Sequence, residues 1–151
     1  LEAYFLLESV SDAHWYGDQF FPSEPIRVVM DARTAKAVQA EWTAEKLHAA
    51  LAPVSQEQLQ AIRQLPAAPL RALLEKAALH AEKARKESVD GALKKMQATV
   101  DAEIHRLKAL QGKNQLVSQS EIEWWQKRRE KLSESFERAR VRLDCFLLVL
   151  G

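Results

Sequence analysis

The sequence has 151 residues, of which 47% are hydrophobic and 28% are charged, so it can enclose one sizeable core. A formal net charge of +1 gives no overall electrostatic reason to bind nucleic acid or a membrane surface. The only cysteine, Cys145, excludes an intramolecular disulfide and a metal site made of cysteines, and it favours a reducing, cytoplasmic compartment.

Residues 1–42 are predicted to form strands and a loop. The apolar run from Ala3 to Leu7 is typical of a central strand buried on both faces, and the run from Ile26 to Asp31 predicts a second strand. Residues 11–25 predict an extended loop, and residues 37–42 are interpreted as a weak third strand. The first residues lack an initiator methionine and the features of a signal peptide, so we expect a single domain, residues 1–151, that is cut from a longer protein.

Residues 43–65 are predicted to form two short helices. Thr43 is placed to cap the first helix, which ends before Pro53. Ser55 and Gln58 form a capping box that opens the second helix, because each side chain can satisfy a backbone N–H of the other residue.

Residues 68–143 are predicted to form a long antiparallel helical hairpin with a turn at residues 112–114. Ser118 and Glu121 form a capping box at the start of the returning helix. That helix shows a coiled-coil seam, whose members alternate three and four positions apart: Ile122, Trp125, Arg129, Leu132, Phe136, Ala139 and Leu143.

Two residues do not fit an apolar helix pair. In antiparallel pairing Arg129 falls beside Asp101, so it either forms a charge pair there or lies at the seam margin in water. Glycine in a helix interior costs about 1 kcal/mol relative to alanine. We therefore interpret Gly91 as a close helix contact or a mild kink.

The outgoing helix is longer than the returning one, so its alanine-rich first half needs another partner. Residues 143–150 predict a C-terminal strand in the same sheet as the N-terminal strand, and Cys145 within it is interpreted as a buried, unreactive thiol. The predicted fold class is therefore α+β: a small, largely antiparallel sheet of the N-terminal, 26–31 and C-terminal strands, packed with a long antiparallel helical hairpin.

The sequence contains no recognisable catalytic, cofactor-binding or metal-binding motif. Glycine occurs only at positions 17, 91, 112 and 151, so a phosphate-binding glycine loop is absent. The four histidines lack the spacing of metal ligands, and many acidic residues lie four positions before a basic one, as on solvated helix faces. We expect no cofactor and no enzymatic activity of this chain alone.

Two groups of residues are candidates for a partner surface. The first is aromatic: Trp15, Tyr16, Phe20 and Phe21 in the predicted loop, together with Trp124, which points away from the seam. The alternative is that the loop rings pack over the sheet. The second group is the basic cluster Lys83, Arg85 and Lys86, which is either a nucleic-acid contact or a solvated helix face interrupted by acidic residues.

Several segments resemble the C-terminal domain of the RapA (HepA) family of bacterial RNA-polymerase-associated proteins. They are L-E-A-Y at 1–4, L-E at 7–8, F-P-S-E-P-I-R-V-V-M-D at 21–31, L-K-A-L at 107–110 and R-L-D at 142–144. Within them, the pattern F-P-x-x-P-I-R-x-x-x-D is the most specific. The resemblance spans essentially the whole chain.

This resemblance implies a parent protein that is a Swi/Snf-class, helicase-like ATPase, which binds RNA polymerase and recycles it after transcription. The ATP-binding motifs of that family lie before this domain, and none matches a residue here. The resemblance implies an accessory interaction or regulatory module, whose partner is RNA polymerase or the parent's own ATPase core. DNA would be reached through the parent, and no membrane partner is expected. The alternative is a nucleic-acid-binding module that uses its basic helix faces.

Overall fold

The structure is a computed structural model that describes residues 1–21, 25–113 and 117–149. Parts of the predicted loop, of the hairpin turn and of the C-terminal strand lie outside these residues. The elements in chain order are β1 (Glu2–Glu8), β2 (Ile26–Asp31), β3 (Lys36–Ala37), α1 (Ala44–Ala50), α2 (Gln56–Arg63), α3 (Ala67–Gln111), α4 (Gln119–Glu137) and β4 (Arg140–Leu147). The α+β prediction is confirmed.

The chain divides into two compact units. We call the first the sheet unit (Leu1–Leu6, Pro25–Lys83 and Val141–Gly151) and the second the hairpin unit (Leu7–Glu24 and Ala84–Arg140). The long helix α3 supplies residues to both units, and so does β1. Each unit has its own cluster of buried apolar side chains. The single domain expected from the sequence stays a prediction.

The sheet unit contains a four-stranded sheet in the order β3-β2-β1-β4. β1 pairs antiparallel with β2, with Ala3 opposite Val28, and β2 pairs antiparallel with β3. The prediction that the first and last strands share a sheet is confirmed, and β2 has the predicted bounds. β3 is shorter than predicted, because the N–H groups of Glu41 and Trp42 both donate to the carbonyl of Val38 and close a turn there.

One face of this sheet packs against the alanine-rich half of α3. Alternate strand residues point to the same face, and small alanine side chains allow the helix to approach closely. The buried members of this cluster are Leu1, Ala3, Phe5, Val28, Met30, Leu73, Ala77 and Ala81, with Leu70, Leu74, Ala78, Val141 and Leu148 partly buried around them. The predicted packing of the alanine-rich helix face on the sheet is confirmed.

The opposite face of the sheet carries a buried ion pair. Glu2 is 1% exposed, and its Oε1 accepts hydrogen bonds from the Nε of Arg27 and from the hydroxyl of Tyr4. Arg27 also donates from Nη1 to the carbonyl of Trp42 at 2.8 Å. Removing one partner of such a pair would leave the other charge buried and unpaired, so we assign this group a structural role.

The C-terminal strand differs from its prediction in two ways. It begins at Arg140 rather than at Leu143, and most of its side chains are exposed, including that of Cys145. The interpretation of Cys145 as a buried thiol was therefore wrong. β4 is the last strand in the sheet order, so it lacks a neighbour on one side among the described residues. Arginine stands at every second position from Arg138 to Arg142. This is the period of a strand and not of a helix, which agrees with the early start of β4.

The hairpin unit pairs the second half of α3 with α4. Gln111 donates to Gln119 at 3.5 Å, and Arg129 donates to Asp101 at 2.7 Å, as antiparallel pairing predicts. The hydroxyl of Ser118 caps α4 by accepting from the backbone N–H of Glu121. The buried members of the hairpin core are Trp15, Phe20, Val89, Ala92, Met96, Val100, Ile104, Leu107, Ile122, Leu132, Phe136 and Ala139.

The predicted seam of α4 is correct in part. Its Arg129 lies exposed at the seam margin and forms the charge pair with Asp101, so both alternatives for this residue hold, but the helix ends at Glu137. Ala139 therefore follows the helix, and Leu143 lies in β4. A Cβ atom built on Gly91 would meet no atom within 4 Å, so the interpretation of Gly91 as a close helix contact was wrong.

We predict that Phe136→Ala lowers the stability of the chain by about 3 to 5 kcal/mol, because it deletes a ring that is 1% exposed. Glu137→Ala changes an exposed neighbour and should alter stability by less than about 0.5 kcal/mol. Denaturant unfolding of the two variants measures the difference. Equal losses would contradict the core position of Phe136.

We also predict opposite effects of alanine at two glycines. A Cβ on Gly17 would lie 2.8 Å from the Oγ of Ser11 and 2.9 Å from the Cδ2 of Leu132, so Gly17→Ala should cost about 1 to 3 kcal/mol. Gly91→Ala should raise stability by about 0.5 to 1 kcal/mol, because alanine favours the helix and meets no obstacle. Thermal unfolding should show shifts of opposite sign. A loss of stability in Gly91→Ala would refute this description of α3.

Candidate partner surface

Helix α4 has a second face, which holds residues 9–20. The hydroxyl of Ser135 donates to the carbonyl of Val10 at 2.7 Å and lies 2.8 Å from the hydroxyl of Ser9. Arg128 donates from Nε to the carbonyl of Trp15 at 2.9 Å. Arg128 and Ser135 are seven positions apart and therefore lie on the same side of the helix. This segment is thus attached to α4 by side chains that the heptad seam does not include.

Arg128 lies at the centre of an aromatic cluster. It is 5% exposed, and its Cζ lies 4.8 Å from the ring centroid of Trp125, 5.7 Å from that of Trp124 and 5.8 Å from that of Phe20. A guanidinium over aromatic faces is attracted by their negative quadrupoles. The cluster therefore compensates part of the cost of burying this charge.

Arg128 has no acidic partner within the described part of the chain. It forms no ion pair there, and its Nη1 and Nη2 form no hydrogen bond, whereas the adjacent Arg129 pairs with Asp101. Burial lowers the pKa of the Arg128 guanidinium below its ordinary value, and the nearby Tyr16 hydroxyl opposes that effect. An arginine stays protonated even so, and no acidic side chain among the described residues pairs with this positive charge.

Two exposed rings border this charge, and we call Tyr16 and Trp124 the aromatic rim. Tyr16 is 62% exposed and Trp124 is 37% exposed. The Trp124 ring lies 5.7 Å from that of Trp15 and stands edge-on to that of Trp125 at 5.2 Å. Tyr16 has a φ of 52°, a left-handed conformation that costs a non-glycine residue about 1 kcal/mol or more. Tyr16 is the C-cap of the 3₁₀ turn Ala13–Trp15, and its backbone N–H donates to the carbonyl of Ala13.

A cleft of about 430 Å³ opens beside Tyr16. It is lined by Leu7, Ser9, Ser11, Ala13, Tyr16, Gly17, Asp18, Phe21 and Phe136. The cleft can receive a side chain of a partner that contacts the Tyr16 ring.

The structure separates the predicted aromatic residues into two groups. Trp15 and Phe20 are buried, and Phe21 is half-buried with its ring 4.7 Å from that of Phe136. These rings join the core of the hairpin unit instead of packing over the sheet, because Arg128 and Ser135 hold the segment on α4. Only Tyr16 and Trp124 of the predicted aromatic group are exposed enough to touch a partner.

The predicted basic cluster does not form one surface within a unit. Lys83 belongs to the sheet unit, whereas Arg85 and Lys86 belong to the hairpin unit. Lys83 and Lys86 are exposed, and Arg85 donates from Nη1 to the carbonyl of Ala139 at 3.2 Å. Arg85 is therefore occupied within the molecule.

Arg128 was not among the residues predicted from the sequence. The available signal was its position four residues after Trp124, which places both side chains on one helix face beside the seam. Its carbonyl partner, Trp15, is more than a hundred positions away in the chain, and no local pattern reports such a contact.

The described residues contain no group of three or more histidine, cysteine, aspartate or glutamate side chains that could hold a metal ion. Among the helices of residues 1–21, 25–113 and 117–149, none has the length and apolarity needed to cross a membrane.

Comparison with known proteins gives similarity along the whole chain. The profile of the family described as RNA polymerase recycling family C-terminal matches residues 1–151. Three curated relatives are each named RNA polymerase-associated protein RapA. The Haemophilus influenzae protein is 23% identical over 150 residues, which cover 99% of this chain and 16% of the relative. The Vibrio atlanticus and Cronobacter sakazakii proteins are each 25% identical, over 99% of this chain and 15% of the relative.

The chain therefore spans about one sixth of the length of the curated relatives that it matches. The family profile, in contrast, covers the chain from its first residue to its last. The chain belongs to the RNA polymerase recycling family, whose C-terminal domain it represents.

Proposed function

We propose that this chain is the contact and regulatory module of an RNA-polymerase-associated, ATP-dependent helicase-like protein of the cytoplasm. In this proposal the module has no catalytic site and no cofactor of its own. It binds RNA polymerase or the ATPase core of the parent protein, and through that contact it influences the recycling of polymerase.

Family membership and the sequence together support a contact module. The relatives are named for association with RNA polymerase, and they contain far more chain than this domain. Phosphoryl transfer needs a glycine loop, a lysine and metal-binding carboxylates in a defined arrangement. The sequence has only four widely spaced glycines, so we propose that the ATPase parts of the parent lie outside these residues.

The observation that carries the proposal is the aromatic rim above Arg128. Binding energy at protein interfaces concentrates in a few tyrosine, tryptophan and arginine residues that lie in well-packed surroundings. Tyr16, Trp124 and Arg128 supply these three residue types at one place on the hairpin unit. Their rigid support by buried Trp15 and Phe20 limits the entropy that is lost on binding.

We predict that the purified chain neither binds nor hydrolyses ATP. Isothermal titration and a phosphate-release assay, with the full-length parent as the positive control, measure both properties. ATP hydrolysis by the chain alone that persists after repeated purification would contradict the proposal.

We predict that deleting residues 1–151 from the parent protein weakens its binding to RNA polymerase or changes its rate of ATP turnover. Within the full-length parent, Tyr16→Ala and Trp124→Ala should each weaken the affected contact about 10-fold or more, as loss of an interface anchor does. Lys83→Glu and Lys86→Glu should change it less than about 3-fold, because exposed charges contribute little to protein docking.

Polymerase affinity and ATP turnover are measured for the deletion and for the four substitution variants, with the unchanged parent protein as the reference. A deletion that leaves both quantities unchanged would overturn the contact function. Larger effects of the lysine variants than of the rim variants, together with a steep loss of DNA affinity at high salt, would instead support the nucleic-acid alternative.

A further inference from the structure

The Arg128 site contains a cation whose anion is missing from the described part of the chain. Arg128 is more than nine-tenths buried, and its Nε is used by the carbonyl of Trp15. Its two terminal nitrogens hold no hydrogen bond to the residues that the structure describes. Burying a charge is costly unless it is paired, and a charged group of this kind beside a cleft is a candidate for a binding site.

The geometry of Arg128 defines which groups can pair with it. Because Nε is occupied, the free donors are Nη1 and Nη2, which point in parallel from the end of the guanidinium plane. Two parallel N–H donors match the two oxygens of a carboxylate or two oxygens of a phosphate. The exposed Tyr16 follows directly after Trp15, whose carbonyl accepts the Nε hydrogen bond of Arg128, so its ring lies at the edge of the site.

We propose that Arg128 is the receptor for an aspartate or glutamate side chain of a partner protein, which it binds between Tyr16 and Trp124. This inference deepens the proposed contact function and rests on it. The aromatic rim surrounds the ion pair and excludes water, which strengthens the attraction between the two charges. Tyr16, which has a left-handed backbone conformation, lies at the edge of this proposed anion site.

A protein carboxylate fits this site better than a nucleic-acid backbone. The sequence of the hairpin unit contains equal numbers of basic and acidic side chains, so it has no net attraction for a polyanion. A single carboxylate requires one cation, and one cation is what the site supplies.

The test uses the full-length parent protein and two adjacent arginines as a matched pair. Arg128→Gln removes the proposed anion receptor, whereas Arg129→Gln removes the same charge from an exposed ion pair one position away. We expect Arg128→Gln to weaken the contact made by this domain 10-fold to 100-fold, and Arg129→Gln to change it less than 3-fold. Polymerase affinity reports a carboxylate on polymerase, and ATP turnover without polymerase reports one on the parent.

A second variant separates binding from folding. Arg128→Lys keeps the positive charge but replaces the parallel pair of N–H donors by a compact ammonium group, so it should give an intermediate loss of affinity. Thermal unfolding of each variant is measured in parallel. If Arg128→Gln loses its cooperative unfolding transition, Arg128→Lys decides: an intermediate loss with an unchanged transition supports the proposal, and unchanged affinity overturns it.

The remaining outcomes are also decisive. Equal effects of Arg128→Gln and Arg129→Gln, or no effect of either, would overturn the carboxylate receptor. If Arg128→Gln weakens binding of a labelled 20-nucleotide single strand but leaves both protein readouts unchanged, the anion is a phosphate and the proposal fails. The domain deletion separates the proposed contact function from the carboxylate receptor. A deletion without effect refutes the contact function. A deletion that weakens the contact, together with an Arg128→Gln variant that does not, refutes only the carboxylate receptor.

Discussion

The hydrogen bond from Arg128 to the carbonyl of Trp15 is the contact on which the candidate surface depends. It joins α4 to a segment that has no regular structure of its own beyond two short 3₁₀ turns, Ala13–Trp15 and Gly17–Gln19. The contacts of Ser135 fix the preceding residues of that segment. With both ends of the segment attached, its buried rings complete the hairpin core, and Tyr16 is held in an exposed, strained conformation. One buried charge therefore organises the core and the surface above it.

The long helix α3 shows how one element can serve two different cores. Its first half presents small alanine side chains to the sheet, and its second half presents larger side chains, such as Met96 and Leu107, to α4. Small alanine side chains let a helix pack closely on the face of a sheet. Two packed helices leave more space between their curved surfaces, and larger side chains are needed to fill it. The change of residue size along α3 therefore follows the change of packing partner.

Local signals in the sequence predicted most of the fold. The caps at Thr43, Ser55 and Ser118 each involve residues within three positions, and strand β2 is a short run of β-branched residues. Both features can therefore be predicted without knowledge of the tertiary structure. The exposure of the β4 side chains could not be predicted from the sequence, because an apolar strand at the edge of a sheet and one at its centre have the same composition. Arg128 was missed for a related reason: heptad analysis assigns one partner to a helix, and α4 has two.

The pairing of charged side chains differs between the structural positions of the molecule and the candidate surface. The buried Glu2 has Arg27 as its partner, and the exposed Arg129 has Asp101, so charges in these structural positions are paired. At Arg128 a buried cation, which has no acidic partner among the described residues, lies close to a tyrosine in a left-handed conformation. The hydrogen bond from Arg128 to Trp15 uses only Nε, so it does not supply the anion that this charge lacks among the described residues. In our proposal a partner carboxylate supplies that anion, which is the physical reason for placing the partner contact there.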